Sequence, residues 1–145
     1  MYSFLKLTTP APLAAVGTPL ELLGSVRAGF PSPAEDFGAK RIDLTAEMVT
    51  HPQATFLLQA KGLSMVDAGI GDGDMLVVNK ALKPRHGQVV VAVLDGEFTV
   101  KLLYQRAGRV KLRAANVTYP DIVPKDGQMI EVWGVVTWCL KRMPV

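Results

Sequence analysis

Residues Val89-Val90-Val91-Ala92-Val93-Leu94-Asp95-Gly96-Glu97-Phe98-Thr99-Val100-Lys101-Leu102-Leu103-Tyr104 decide how this chain is read. Two runs rich in β-branched and aromatic residues flank a two-residue Asp-Gly link, the local signature of a tight β-hairpin. Counting outward from Leu94 and Glu97 sets Val90 opposite Lys101. On both sides of this hairpin the pattern continues as short apolar runs separated by Gly and Asp. Strands are predicted near Thr55–Ala60, Met75–Asn79, Gln88–Leu94, Glu97–Gln105, Arg109–Ala114 and Met129–Lys141, with Ala107-Gly108 as a second tight turn. The expected fold is mostly β, a compact antiparallel β-domain with little helix.

Residues 1–41 read differently. Pro10, Pro12, Pro19, Pro31 and Pro33 interrupt every period, so this segment is expected to be a flexible arm, with the domain occupying 42–145. Around Gly29-Phe30-Pro31-Ser32-Pro33 each proline biases its predecessor toward extended or turn geometry, a form that can lie in a groove. A short helical turn is predicted within Ile42–His51, capped by Asp43 or Thr45 and ended by Pro52.

The chain has 145 residues, 49% hydrophobic and 20% charged, enough for one core. Its formal net charge of +3 is dispersed and points to no phosphate-binding face. The single cysteine, Cys139, has no disulfide partner and no second thiol for a metal site, which suits a reducing cytoplasm and a small buried hydrophobe. Ala11–Val26 is the longest candidate for a signal peptide, but Pro12, Pro19 and Glu21 break it, and no run reaches the length of a membrane span.

Lys101 stands out inside an apolar run. It is either a snorkelling or edge-strand lysine, or a desolvated one whose pKa falls and whose neutral amine can act as a base. Ser64, in Lys61-Gly62-Leu63-Ser64-Met65, is either an ordinary turn residue or a nucleophile exposed by a sharp change of direction at glycine. His51 and His86 read as surface loop residues. Asp67, Asp72 and Asp74 read as turn and strand-entry residues, because the spacing lacks the distal glutamate of a calcium hand.

Taken together, Gly62-Leu63-Ser64-Met65-Val66-Asp67-Ala68-Gly69-Ile70-Gly71-Asp72-Gly73-Asp74 resembles the nucleophile segment of the LexA/UmuD autopeptidases. Asp95 to Lys101 resembles their lysine hairpin, and Ala28-Gly29-Phe30-Pro31-Ser32-Pro33 resembles the cleavage segment of the UmuD branch. The resemblance implies a catalytic Ser64–Lys101 dyad, oxyanion donors in the backbone amides of Leu63 and Ser64, and self-cleavage at Ala28-Gly29, with no cofactor and no metal. Two departures concern positioning and not reacting groups: Lys61, where the family often has a small or polar residue, and the bulky Leu63.

With 28 residues before the cut, the chain lacks room for a DNA-reading domain, so sequence-specific DNA binding and membrane attachment are not expected. The short arm resembles UmuD and its relatives. This implies a cytoplasmic homodimer in the SOS response to DNA damage, stimulated to cleave by a RecA–single-stranded DNA filament and then joining a UmuC-like Y-family translesion polymerase. Two other classes fit less well: a non-catalytic module that binds a polymerase or RecA, and a signal-peptidase-like protease acting on other chains.

Overall fold

The computed structural model describes residues 11–12, 19–22, 28–29 and 40–145. Nine strands are present among them, in two sheets. The larger has the order β1-β4-β5-β9-β6-β7-β8 and every neighbouring pair is antiparallel. Its strands are β1 (Ala11–Pro12), β4 (Thr55–Gln59), β5 (Met75–Asn79), β6 (Val89–Leu94), β7 (Glu97–Arg106), β8 (Arg109–Arg113) and β9 (Glu131–Leu140). β2 (Pro19–Leu22) and β3 (Lys40–Asp43) form a separate antiparallel pair.

The Asp95-Gly96 hairpin forms as expected, with both residues at positive φ (50° and 79°), the geometry that matches the twist of flanking strands. Val90 pairs with Lys101. Ala107-Gly108 repeats the turn between β7 and β8, with Ala107 at φ 51°. All six expected strands are present, their ends moved by a residue or two.

Successive residues Leu76, Val77 and Val78 of β5, and Val90, Val91 and Ala92 of β6, are all buried. Because side chains alternate across a sheet, the large sheet must be covered on both faces here. Met65 and Ile70 pack over Leu76, Val78 and Val91, while Leu82, Ile122 and Ile130 pack over Val90, Leu103, Leu112 and Val135. β9 sits at the centre and carries a bulge on each side, where register shifts between Val77 and Val78 and between Val91 and Ala92. Gly134 lies at the tightest approach: a Cβ there would stand 2.6 Å from Val78 Cγ1. Val78 is fully buried and stiff at χ1, so it cannot swing away. Gly134→Ala should therefore cost about 1–3 kcal/mol in denaturant unfolding, and Val78→Ala in the same chain should return part of that loss by opening the space.

The helix expectation is corrected. The helix α1 covers only Leu44–Met48, capped by Asp43, whose side chain accepts from the Ala46 N–H at 3.2 Å; Thr45 instead gives its carbonyl to Val49. Pro52 does not end this helix but opens a separate 3-10 turn, Pro52–Ala54, where a missing N–H costs nothing. Before Thr55, β1 pairs with Leu57 and Phe56 of β4, and β2 pairs with β3. Proline is tolerated there because β1 is a sheet edge.

Candidate active site

The turn that presents Ser64 begins where β4 ends. Ala60 exchanges two backbone hydrogen bonds with Gly73 and Asp74, each 2.8 Å, and Gly62 then turns the chain at φ 87°. The Gly62 N–H donates to Asp72 Oδ1 at 2.7 Å. Met65 and Ile70, 3% and 5% exposed, plug into the core and are joined by a backbone bond, so the half-buried Ser64 sits between an anchored residue and the exposed Leu63. Among the described residues, neither the Leu63 nor the Ser64 N–H has a hydrogen-bond acceptor.

Lys101 reaches this turn from the middle of β7. Its Nζ lies 3.1 Å from Ser64 Oγ, 2.8 Å from Thr99 Oγ1 and 3.1 Å from the Val100 carbonyl oxygen. No carboxylate pairs with it among the described residues. Burial alone holds its pKa below the ordinary lysine value. A neutral amine has two N–H donors and one lone pair. Thr99 Oγ1 and the Val100 carbonyl can take the two donors, which leaves the lone pair for the Ser64 hydroxyl. This arrangement suits removal of the serine proton and needs no histidine.

A cleft of about 540 Å³ opens beside the pair, lined by Leu58 and Gln59 of β4, by Ala60 just after it, and by Glu97 to Lys101 of β7. That volume falls in the range of sites that enclose a small ligand. Beyond Leu57, among the described residues, β4 has no strand partner on the β1 side.

Ala28 and Gly29 are exposed in a bend and do not line the cleft. The two histidines are exposed and bond elsewhere: His51 Nδ1 is 2.9 Å from Asn79 Nδ2, and His86 Nδ1 accepts from the Gln105 N–H at 3.0 Å. Asp72 braces the turn as described above, and Asp67 is exposed in the short 3-10 turn Val66–Ala68. Asp74, at the entry to β5, is 6% exposed and accepts from the Gly71 N–H at 2.7 Å. It is also ion-paired to Lys141, which the sequence did not signal. Burial works against ionising Asp74, but the bonds from Lys141, Gly71 and Cys139 prevail and its pKa is lowered. Cys139 is half-buried, not fully buried, and its thiol donates to Asp74 at 3.5 Å; burial and that carboxylate raise its pKa. Two residues of the site went unread in the sequence: Thr99, two positions before Lys101, and Asn116, whose Nδ2 donates to the Leu63 carbonyl at 2.8 Å.

A family model described as Peptidase S24-like matches residues 21–137. Protein SamA of Salmonella typhimurium is 46% identical over 110 residues, covering 76% of each chain. Protein MucA of Escherichia coli is 43% identical over 124 residues, 85% of this chain and 84% of its own. The LexA repressor of Dechloromonas aromatica is 46% identical over 104 residues, which span 72% of this chain and 51% of the repressor.

Proposed function

Because the chain belongs to the S24 peptidase family, with the LexA/UmuD proteins among its relatives, we propose that it cuts its own Ala28-Gly29 bond with Ser64 as nucleophile and Lys101 as base. The observation that carries this reading is the 3.1 Å contact between Lys101 Nζ and Ser64 Oγ at a cleft wall, with the amine desolvated and without a carboxylate partner among the described residues.

Neutral Lys101 removes the Ser64 proton as the hydroxyl oxygen bonds to the Ala28 carbonyl carbon. The carbonyl oxygen becomes an oxyanion, which the Leu63 and Ser64 amides receive. On collapse the Ala28–Gly29 bond breaks, Lys101 returns its proton to the departing Gly29 amine, and Ala28 is left as an ester on Ser64. Lys101, neutral again, deprotonates a water that hydrolyses the ester and restores the hydroxyl. Since Ala28 lies outside the cleft, the arm must first dock there in extended form. Similarity to SamA, ImpA and MucA supports the UmuD-like reading. In it the protein is a cytoplasmic homodimer of the SOS response, a RecA–single-stranded DNA filament favours the docked arm, and the cleaved form joins a UmuC-like Y-family polymerase.

The test is incubation of the purified protein across pH, with intact mass as readout. The rate should climb as pH rises through the Lys101 pKa, because only the neutral amine is a base, and level off above it. With that pKa lowered, the climb should lie below the ordinary lysine range. No fragment at any pH, or a rate that falls from pH 6 upward, would refute the amine mechanism.

A further inference from the structure

We propose that Asn116 is a positioning residue that aims the Ser64 N–H, through its hold on the Leu63 carbonyl. This rests on the reading of Ser64 as nucleophile and of that amide as an oxyanion donor. The carbonyl of Leu63 and the N–H of Ser64 belong to one peptide plane. In a trans peptide the two groups point in opposite directions, so whatever fixes one fixes the other. Asn116 Nδ2 donates to the Leu63 oxygen at 2.8 Å, whereas the other donor to that oxygen, the Val66 N–H, is distant at 3.4 Å. The Ser64 N–H therefore faces away from Asn116, and it has no acceptor among the described residues.

Asn116 is itself held. Its Oδ1 accepts from the Thr118 N–H at 3.1 Å and from Thr118 Oγ1 at 2.8 Å, which settles the amide orientation, since a backbone N–H can only donate. The loop that carries it is closed at its base by two backbone bonds between Leu112 and Ile122, and the neighbouring Ala115 carbonyl accepts from the Asp67 N–H at 2.8 Å. A loop from the far end of β8 is thus tied to the serine turn at two consecutive residues. The tie does not touch Lys101: it sets the electrophilic side of the site, separately from the base.

Self-cleavage of the full chain, followed from pH 7 to 10 in wild type, Asn116→Ala and Asn116→Asp, tests this. Loss of an oxyanion donor outright costs roughly 10²–10³-fold, so a donor left in place but unaimed should cost about tenfold to a hundredfold. Asn116→Ala should lower the rate by that factor at every pH and leave the pH of half-maximal rate unchanged. Asn116→Asp keeps both acceptor bonds to Thr118 and loses only the donor, so its plateau should fall equally; any effect of the added charge on Lys101 appears separately, as a displaced half-maximal pH. A plateau within twofold of wild type in either variant, or full recovery of Asn116→Ala at higher pH, overturns the proposal. Absence of cleavage in the wild type itself strikes the nucleophile reading instead.

Discussion

Ser64→Ala should abolish self-cleavage while leaving the fold intact. Ser64 is half-buried in a turn anchored by its neighbours Met65 and Ile70, so removing one oxygen opens no cavity; loss of the attacking atom in a serine peptidase lowers turnover by roughly 10⁶-fold. Lys101→Met should be equally inactive, yet more stable at neutral pH. Burial depresses the lysine pKa, so the unfolded chain holds that proton more tightly than the folded one. The penalty is full below the folded pKa and fades as pH rises toward the ordinary lysine value. Thermal melts should therefore place Lys101→Met above wild type at pH 7, with the gap narrowing by pH 10. Persistent cleavage in Ser64→Ala would remove the nucleophile from the scheme. A Lys101→Met melting point below wild type at pH 7 would show that the lysine serves the fold more than the chemistry. In that case the three oxygen contacts of Nζ outweigh its desolvation.

Gly29→Lys should block cleavage without altering stability. A Cβ built on Gly29 meets no atom within 4 Å, and the residue is exposed, so the resting fold accommodates a side chain there and stability should stay within about 0.5 kcal/mol. The obstacle arises only on docking. The new cation would have to enter a cleft lined by Leu58, Val91, Phe98 and Val100, next to Lys101 itself. Gly29→Ala, adding one methyl group, should slow cleavage without stopping it. Amino-terminal sequencing of the wild-type product should begin at Gly29. A different terminus, or normal processing of Gly29→Lys, would move the scissile bond elsewhere even if the serine and lysine keep their roles.

Much of the sheet was legible because its signals are local. Asp95-Gly96 announces the turn, and once the turn is placed, pairing Val90 with Lys101 is a matter of counting. Ser64 and Lys101 are each commonplace alone, and their meeting could be anticipated only from resemblance, because they stand 37 positions apart in the chain. The bulges in β9 left no mark, because they arise from packing a ten-residue strand between two shorter partners. β1, β2 and β3 were hidden by prolines that a sheet edge tolerates and by pairings with distant segments. Asn116 lies 53 residues from the carbonyl it holds, and nothing in Ala115-Asn116-Val117 distinguishes that asparagine from any other turn residue.

The placement of the short strands has a consequence for the two halves of a cleaved chain. β1 and β2 precede Ala28-Gly29, while their partners β4 and β3 follow it. Scission between them would turn two intramolecular pairings into an association between separate molecules. The covalent tether supplies an effective concentration in the millimolar range; after a cut, six facing residue pairs among the described residues would hold the released peptide, and dilution would favour its escape. Its departure would uncover the backbone of Phe56 and Leu57, the kind of strand border that recruits another chain. Hydrolysis would thus be made one-way by dilution, and the same event would hand the remaining molecule a fresh adhesive rim.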